Sequence, residues 1–290
     1  MRVLIITGGS DSEREISLIS AEGVKKALED NNHTVIFFDI KEGFPELEKQ
    51  LSDCDLVFPV LHGKQGEDGT LYRFLKSSGK PFIGSDPDGA KVAFDKILFK
   101  QYCEKKGYTT AKWKIVKSKD DIAGFGFPCV LKAAEEGSSK GIYLLNSQED
   151  IPSVTGNFYV EELLKGIEIT VGVLKDKVLP VIEIIPPEGK WFDYKNKYSG
   201  KTQEIVNAPS VKQEVQELAK KIALEVHQDL KLNSYSRADF IVVDDIPYIL
   251  ETNTPSGVGF TPESLFPKAA KAVGIEFKEL INQLVTSVQS

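Results

Sequence analysis

MRVLIITGGSDSEREISLISA, residues 1–21, begins with a short apolar run that ends at the glycine pair Gly8-Gly9. Such a run, bounded by turn residues, reads as a buried strand, and the spacing after it predicts a helix from Ser17 to about Glu29. The same alternation recurs downstream as the strand TVIFFDI (34–40), a helix over Pro45 to Leu51 and the strand LVFPVL (56–61). Strands and helices in turn imply a parallel sheet covered by helices. Ligands of such sheets lie beyond the carboxyl ends of the strands, which here are the loops GGSDSERE (8–15) and HGKQGEDG (62–69). A dinucleotide site would call for G-x-G-x-x-G after the first strand, and that pattern is missing.

A helix is expected from about Asp88 to Lys106, after which the pattern changes. AKWKIV (111–116), FPCVLKAA (127–134), IYLLNS (142–147) and FYVEELL (158–164) read as strands with short polar links, an α+β unit. Beyond Gly166 follow a hairpin, EITVGVLKD (168–176) with KVLPVIEIIPP (177–187), and the polar segment 191–210. A helix from Val211 to Leu230, the strand pair RADFIVVDDIPYILETNT (237–254) and two helices complete the chain. Three parts are expected, 1–89, 90–165 and 166–290, in keeping with about 150 residues or fewer per domain. In the helix, Val211, Val215, Leu218, Ile222 and Val226 recur at helical spacing as a core stripe, and His227 beside them reads as an edge or surface residue.

Composition narrows the function. A net charge of −7 leaves no basic stripe for a nucleic acid or an anionic membrane. No apolar run approaches a membrane span, and no signal peptide is apparent at the N-terminus, so a cytoplasmic protein is expected. Cys54, Cys103 and Cys129 form no C-x-x-C pair and read as buried small hydrophobes in a reducing compartment.

Chemistry concentrates on the late strand pair. If Asp244 to Ile246 form a three-residue turn, Asp239 lies opposite Glu251, and the two-residue period of a strand puts Asn253 on the face of Glu251. Facing carboxylates with an amide suit Mg²⁺, and Arg237 on the same face could stabilise developing negative charge. Taken alone, the cluster also fits a solvated sheet face. EEGSSKG (135–141) could wrap a phosphate chain or be an ordinary hairpin loop. Lys132, inside an apolar strand, calls for an anionic partner. Glu13 could be a first-turn acid or a ligand, and His62, at a strand end, a functional group or a loop hydrogen-bonder.

Taken together, these segments resemble the D-alanine:D-alanine ligases of the ATP-grasp superfamily. The resemblance rests on GGSDSEREISLISA (8–21), LHGKQGEDGT (61–70), VLKAAEEGSSKGI (130–142), KYSGKTQEIVNAPS (197–210), RADF (237–240), LETNT (250–254) and FTPESLFPKAA (260–270). It implies an ATP-grasp fold, a Rossmann-like N-terminal domain followed by two α+β subdomains that sandwich ATP. The activity implied is the joining of two D-alanines through a D-alanyl phosphate for peptidoglycan. An ATP-grasp ligase with another acceptor is the alternative, and a catalytically inactive nucleotide-binding protein a further one. Two Mg²⁺ (or Mn²⁺) would sit on Asp239, Glu251 and Asn253, and a homodimer is expected.

For the nucleotide, the resemblance assigns Lys96, Lys132 and Lys197 to the phosphates, Glu161 and Leu164 to the adenine and Glu168 to the ribose. Glu13, Ser138 and Tyr198 would form a hydrogen-bonded set that closes over the site, with Glu13 on the first ammonium and His62 nearby. Arg237 and the Gly257 to Gly259 region would meet the oxyanion, and Ser264 and Leu265 the second carboxylate. Tyr198 points to the dipeptide-forming rather than the ester-forming branch. The chain leaves the family pattern at NTPSGVGFT (253–261), two residues longer than N-T-x-P-G-M-T, at NSYSRADF (233–240), and at LYRFL (71–75), which stands where Q-G is common.

Overall fold

The computed structural model describes residues 1–9, 13–137, 141–153, 155–187 and 202–288. In the first sheet, β1 (Arg2–Thr7) lies between β2 (Thr34–Asp39) and β3 (Leu56–Pro59), all parallel, with Leu4 in register with Ile36 and Val57. Val3 to Ile6 are completely buried because the strand divides its side chains between two cores. Val3 and Ile5 join Ala21, Val24 and Leu28 of α1 (Arg14–Asp30). Leu4 and Ile6 join Leu47 and Leu51 of α2 (Phe44–Leu51) and Leu71 and Leu75, beyond the short α3 (Lys64–Glu67), in α4 (Thr70–Ser78). Helix α1 starts three residues earlier than expected, with Glu13 at its N-cap.

The helix expected over 88–106 is two, α5 (Pro87–Phe94) and α6 (Lys96–Lys106). Asp95 between them has extended backbone, and its carboxylate accepts the N–H groups of Ile97 (2.9 Å) and Leu98 (3.2 Å). An aspartate that caps a new helix competes with continuing the old one. Consequently Lys96 becomes the first residue of a helix. Ala93, Phe99 and Cys103 of this pair pack in the core under the last sheet, with Ile169, Val171 and Phe240.

The second sheet is antiparallel, in the order β4 (Trp113–Val116), β7 (Phe158–Glu162), β5 (Cys129–Ala133), β6 (Ile142–Leu145), and α7 (Lys119–Phe125) adds Ile122 to its core. The third runs β11 (Gln203–Val206), β10 (Ile182–Ile185), β8 (Ile167–Leu174), β12 (Tyr235–Val243), β13 (Ile246–Asn253), with β9 (Lys177–Val178) also on β8. The expected 177–187 strand is thus divided, the break spanning Pro180, which has no N–H for the ladder. Beneath this sheet lies α8 (Gln213–Asp229), while α9 (Leu265–Lys271) and α10 (Phe277–Ser287) share the core of Val3 and Ile5.

Two details of α8 differ from the sequence reading. Leu218 is 45% exposed, and the buried stripe is Val215, Ala219, Ile222, Ala223 and Val226. His227 is buried, its Nδ1 2.7 Å from Ser236 Oγ, because the sheet covers that side of the helix as well. All three cysteines are buried and free, as expected.

Helix α5 seats against the end of α8 at Gly89, where a Cβ would lie 1.6 Å from the Leu230 carbonyl oxygen. Gly89→Ala should therefore lower stability by about 1–3 kcal/mol through overpacking. Gly124→Ala, in an exposed helix turn with open space around it, should leave stability unchanged or raise it slightly. Urea unfolding of the two variants checks the contrast.

Candidate active site

The site is organised by the register of three neighbouring strands. Asp239 on β12 faces Thr170 on β8 and Glu251 on β13, and two residues along, Arg237 faces Gly172 and Asn253. The Asp239–Glu251 pairing expected from a three-residue turn is present, but it is formed differently. Val243 pairs with Ile246 across a two-residue turn, Asp244-Asp245, whose φ values of 49° and 63° are those of a type I′ hairpin. A bulge between Asp239 and Phe240 then takes up Leu250 and restores the register.

The buried Asp239 carboxylate is bonded from three strands. Arg237 donates from Nε to Oδ1 (3.0 Å) and from Nη2 to Oδ2 (2.8 Å). Thr170 Oγ1 donates to Oδ1 (2.5 Å) and Asn253 Nδ2 to Oδ2 (3.0 Å). A two-pronged arginine–carboxylate pair is geometrically demanding, so the guanidinium is held in a defined plane. Asn253 also donates to the Arg237 carbonyl (3.3 Å), and Lys96 Nζ lies 3.5 Å from Glu251 Oε2 while donating to the Glu136 carbonyl (2.7 Å).

Glu13, His62, Lys96, Arg237, Glu251, Asn253, Gly259, Ser264 and Leu265, named separately from the sequence, all line one cavity of about 390 Å³. Glu13 and His62 arrive from beyond the carboxyl ends of β1 and β3, as parallel-sheet topology leads one to expect. Glu13 is buried, and a Cβ on Gly137 would lie 3.1 Å from its Oε1, so the chain at Gly137 comes down onto that carboxylate. Ser264 Oγ is 2.9 Å from Thr261 Oγ1 and accepts the Thr261 N–H (3.1 Å). Burial, with the nearby Arg237 charge, lowers the His62 imidazole to about 4, and its Nε2 is among the buried atoms with no hydrogen-bond partner.

Other expected residues lie outside the cavity wall. Asp239 sits behind Arg237, and Glu168 on β8 and Leu164 in the link from β7 are half-buried. Lys132 has the anionic partner its setting required, Glu161 Oε1 at 2.5 Å. Glu161 also pairs with Lys100 through Oε2 (2.6 Å), and Lys100 Nζ donates to Thr110 Oγ1 (2.6 Å). Burial would raise the Glu161 carboxyl, but the ammoniums of Lys132 and Lys100 outweigh it and hold it below its ordinary value. Ser138, Lys197 and Tyr198 lie outside the described residues.

The sequence reading missed Glu67, Thr170 and Lys100. Thr170 is an unremarkable β-branched strand residue until its partner is known, whereas Lys100 follows Lys96 at helical i+4 spacing, a signal that was available. Glu67, within the quoted HGKQGEDG loop, is buried in the cavity wall and accepts the Gly63 N–H (2.8 Å).

Among the described residues no three acidic, histidine or cysteine side chains form a cation cluster. The expected metal group is instead two carboxylates and an amide oxygen in cross-strand register, a hard-oxygen donor set that suits Mg²⁺ completed by phosphates and water.

A parallel α/β sheet beside two antiparallel α+β sheets, with lysines on one and an acid–amide–arginine group on the other, defines an ATP-grasp protein. The family models "D-ala D-ala ligase C-terminus" and "D-ala D-ala ligase N-terminus" match residues 100–286 and 43–85. The chain is similar to the D-alanine–D-alanine ligase of Nitratidesulfovibrio vulgaris strain DP4, at 38% identity over 98% of this chain and 97% of that one. The enzyme of that name from Aquifex aeolicus is 36% identical over 99% and 100%. The crystal structure of the Bacillus anthracis ligase complexed with ATP superimposes with a TM-score of 0.86, at 28% identity, over 100% of this chain and 97% of that one. The chain belongs to the D-alanine–D-alanine ligase family.

Glu67 gives a test of the site's electrostatics. Burial, then the charge of Glu13, raises its carboxyl from the ordinary 4.5 to about 8. Between these values the folded chain holds a proton that the unfolded chain has released, so this group's contribution to stability is complete below 4.5 and lost as pH rises to about 8. Glu67→Gln should flatten the fall in unfolding free energy across that window, measured by denaturant titration without nucleotide or metal. An unchanged slope would place the titration elsewhere.

Proposed function

We propose that the chain joins two D-alanines at the expense of ATP, releasing ADP and phosphate and supplying a dipeptide for peptidoglycan. The observation that carries this reading is the convergence of Arg237, Glu251, Asn253 and Lys96 on the cavity that also takes Glu13 and Ser264. A carboxylate does not condense with an amine in water, so the donor carboxylate oxygen first takes the γ-phosphoryl group as the β–γ phosphoanhydride bond breaks. The second amine, having lost a proton, then attacks the activated carbonyl, and phosphate leaves.

We assign Lys96, at a helix start, and Lys132, in a central strand, to the phosphate oxygens. With its carboxylate engaged by two lysines, Glu161 acts through Lys132 rather than on the adenine, which we assign to the segment around Leu164, with Glu168 on the ribose. Glu13 pairs with the donor ammonium, beside His62, and Ser264 and the N-terminal turn at Leu265 receive the acceptor carboxylate. Asp239, Glu251 and Asn253 would hold the two Mg²⁺ (or Mn²⁺), which neutralise charge on the phosphates when bound. Arg237, held flat by Asp239, meets the oxyanion that develops as the amine attacks, near Gly259. Lys197 on the transferred phosphoryl group, and closure by Ser138 and Tyr198 with Glu13, complete the assignment. The cytoplasmic location and homodimer implied by the resemblance are part of the same proposal, and no helix among the described residues is long and apolar enough to cross a membrane.

With ATP, Mg²⁺ and D-alanine alone, ADP release should accompany a product of D-alanyl-D-alanine mass. No turnover with D-alanine, but turnover with another amine or hydroxy acid in a panel, would overturn the assigned substrate. Arg237→Gln should lower kcat by about 10²–10³-fold, the usual loss when one oxyanion donor is removed. A fall of less than threefold would remove Arg237 from that role.

A further inference from the structure

Two of the stretches at which this chain leaves its family's sequence pattern meet in space. Tyr72 belongs to LYRFL, and Ser256 to the lengthened NTPSGVGFT loop. The Tyr72 hydroxyl shares a hydrogen bond with Ser256 Oγ (2.8 Å) and accepts the Ser256 backbone N–H (3.1 Å). Tyr72 is completely buried, its ring stacked on Phe82 with centroids 6.0 Å apart, and Ser256 is 2% exposed. A phenol so confined has few alternative positions, so the segment it bonds is confined too.

The loop alternates in what it presents. Ser256, Val258 and Phe260 are buried, Val258 and Phe260 in the core with Tyr235 and Phe266, whereas Gly257, Gly259 and Thr261 line the cavity. Gly257 is pressed onto the Glu67 side chain, where a Cβ would lie 2.2 Å from Oε2. The start of the loop is therefore anchored on both faces from the first sheet's side, by Tyr72 on Ser256 and by Glu67 against Gly257. Its cavity face continues through Gly259 and Thr261 toward Ser264 and Leu265.

We propose that Tyr72, through Ser256, is a positioning residue that fixes the Gly257–Thr261 wall and so sets the fit of the acceptor subsite. This rests on the assignment of Ser264 and Leu265 to the second substrate. The longer loop brings a serine within reach of position 72, and a tyrosine there reaches it. The pair acts on the acceptor because the wall it holds borders that subsite, while Lys96 and Lys132 are held by contacts of their own.

The test is a double-mutant cycle on the full-length enzyme with Tyr72→Phe, Ser256→Ala and the pair. Tyr72→Phe, which removes both hydrogen bonds to Ser256, should raise KM for the acceptor D-alanine at least about fivefold, with KM for ATP within about twofold of the wild type. The double variant should show little more than Tyr72→Phe alone, since Ser256→Ala removes only the Oγ bond that the phenylalanine already lacks. Lower thermal stability with an unchanged ratio of acceptor to donor KM would make the bond merely structural and overturn the proposal, as would additive effects. If Tyr72→Phe does not fold, Ser256→Ala alone must show the acceptor-KM shift. The wild-type assay keeps the two readings apart. Failure of the wild type to use D-alanine would count against the assigned substrate, and the same KM split, read with whichever acceptor it uses, would still decide the role of Tyr72.

Discussion

Asp239 is the constraint on which the cleft depends. Its carboxylate, buried within a β-sheet, takes four hydrogen bonds from Arg237, Thr170 and Asn253, which belong to three adjacent strands. A buried carboxylate is tolerable only when satisfied in this way, so the register of β8, β12 and β13 cannot slip without stranding a charge. Slippage by one residue would also turn Glu251 and Asn253 to the opposite face. The bulge that takes up Leu250 is therefore part of the active site, although Leu250 itself does no chemistry.

Around this rung the other groups arrive by different routes. Lys96 is delivered because Asp95 ends one helix and caps the next, and the Lys96 ammonium then bridges the Glu136 carbonyl and Glu251. Glu13 and His62 come from the ends of parallel strands whose sheet shares a core with α9 and α10 of the C-terminal part. That shared core, with Val3, Ile5, Phe260 and Leu280 in it, ties the Glu13 end of the cleft to the Ser264 end. The Lys100–Glu161–Lys132 chain joins a helix of the last sheet's core to two strands of the central sheet, so that sheet is tied in as well.

Much of this was legible in the sequence where one physical rule dominated. The first sheet could be read because Val3 to Ile6 had to be covered on both faces, and Lys132 announced a partner because an ammonium in an apolar strand requires one. The Asp239–Glu251 pairing came out right although its turn did not, since a two-residue turn plus a bulge yields the same register as a three-residue turn. Legibility failed where the deciding partner was remote or two local rules competed. Asp95 as a cap outweighed an otherwise continuous helical pattern, and Ser256 is 184 residues from Tyr72. Nothing in the local sequence distinguishes Thr170 from any other strand threonine, and the sidedness of His227 depended on which face of α8 met the sheet.

In the proposed reaction the cleft activates a carboxylate by phosphorylation before the amine attacks. D-alanine labelled with ¹⁸O in its carboxylate, turned over with unlabelled ATP, tests it most directly by mass analysis of the released phosphate. An acyl phosphate intermediate predicts one labelled oxygen in the phosphate per peptide bond formed, carried over when its C–O bond breaks. Phosphate free of label, with all of it in peptide and water, would contradict it.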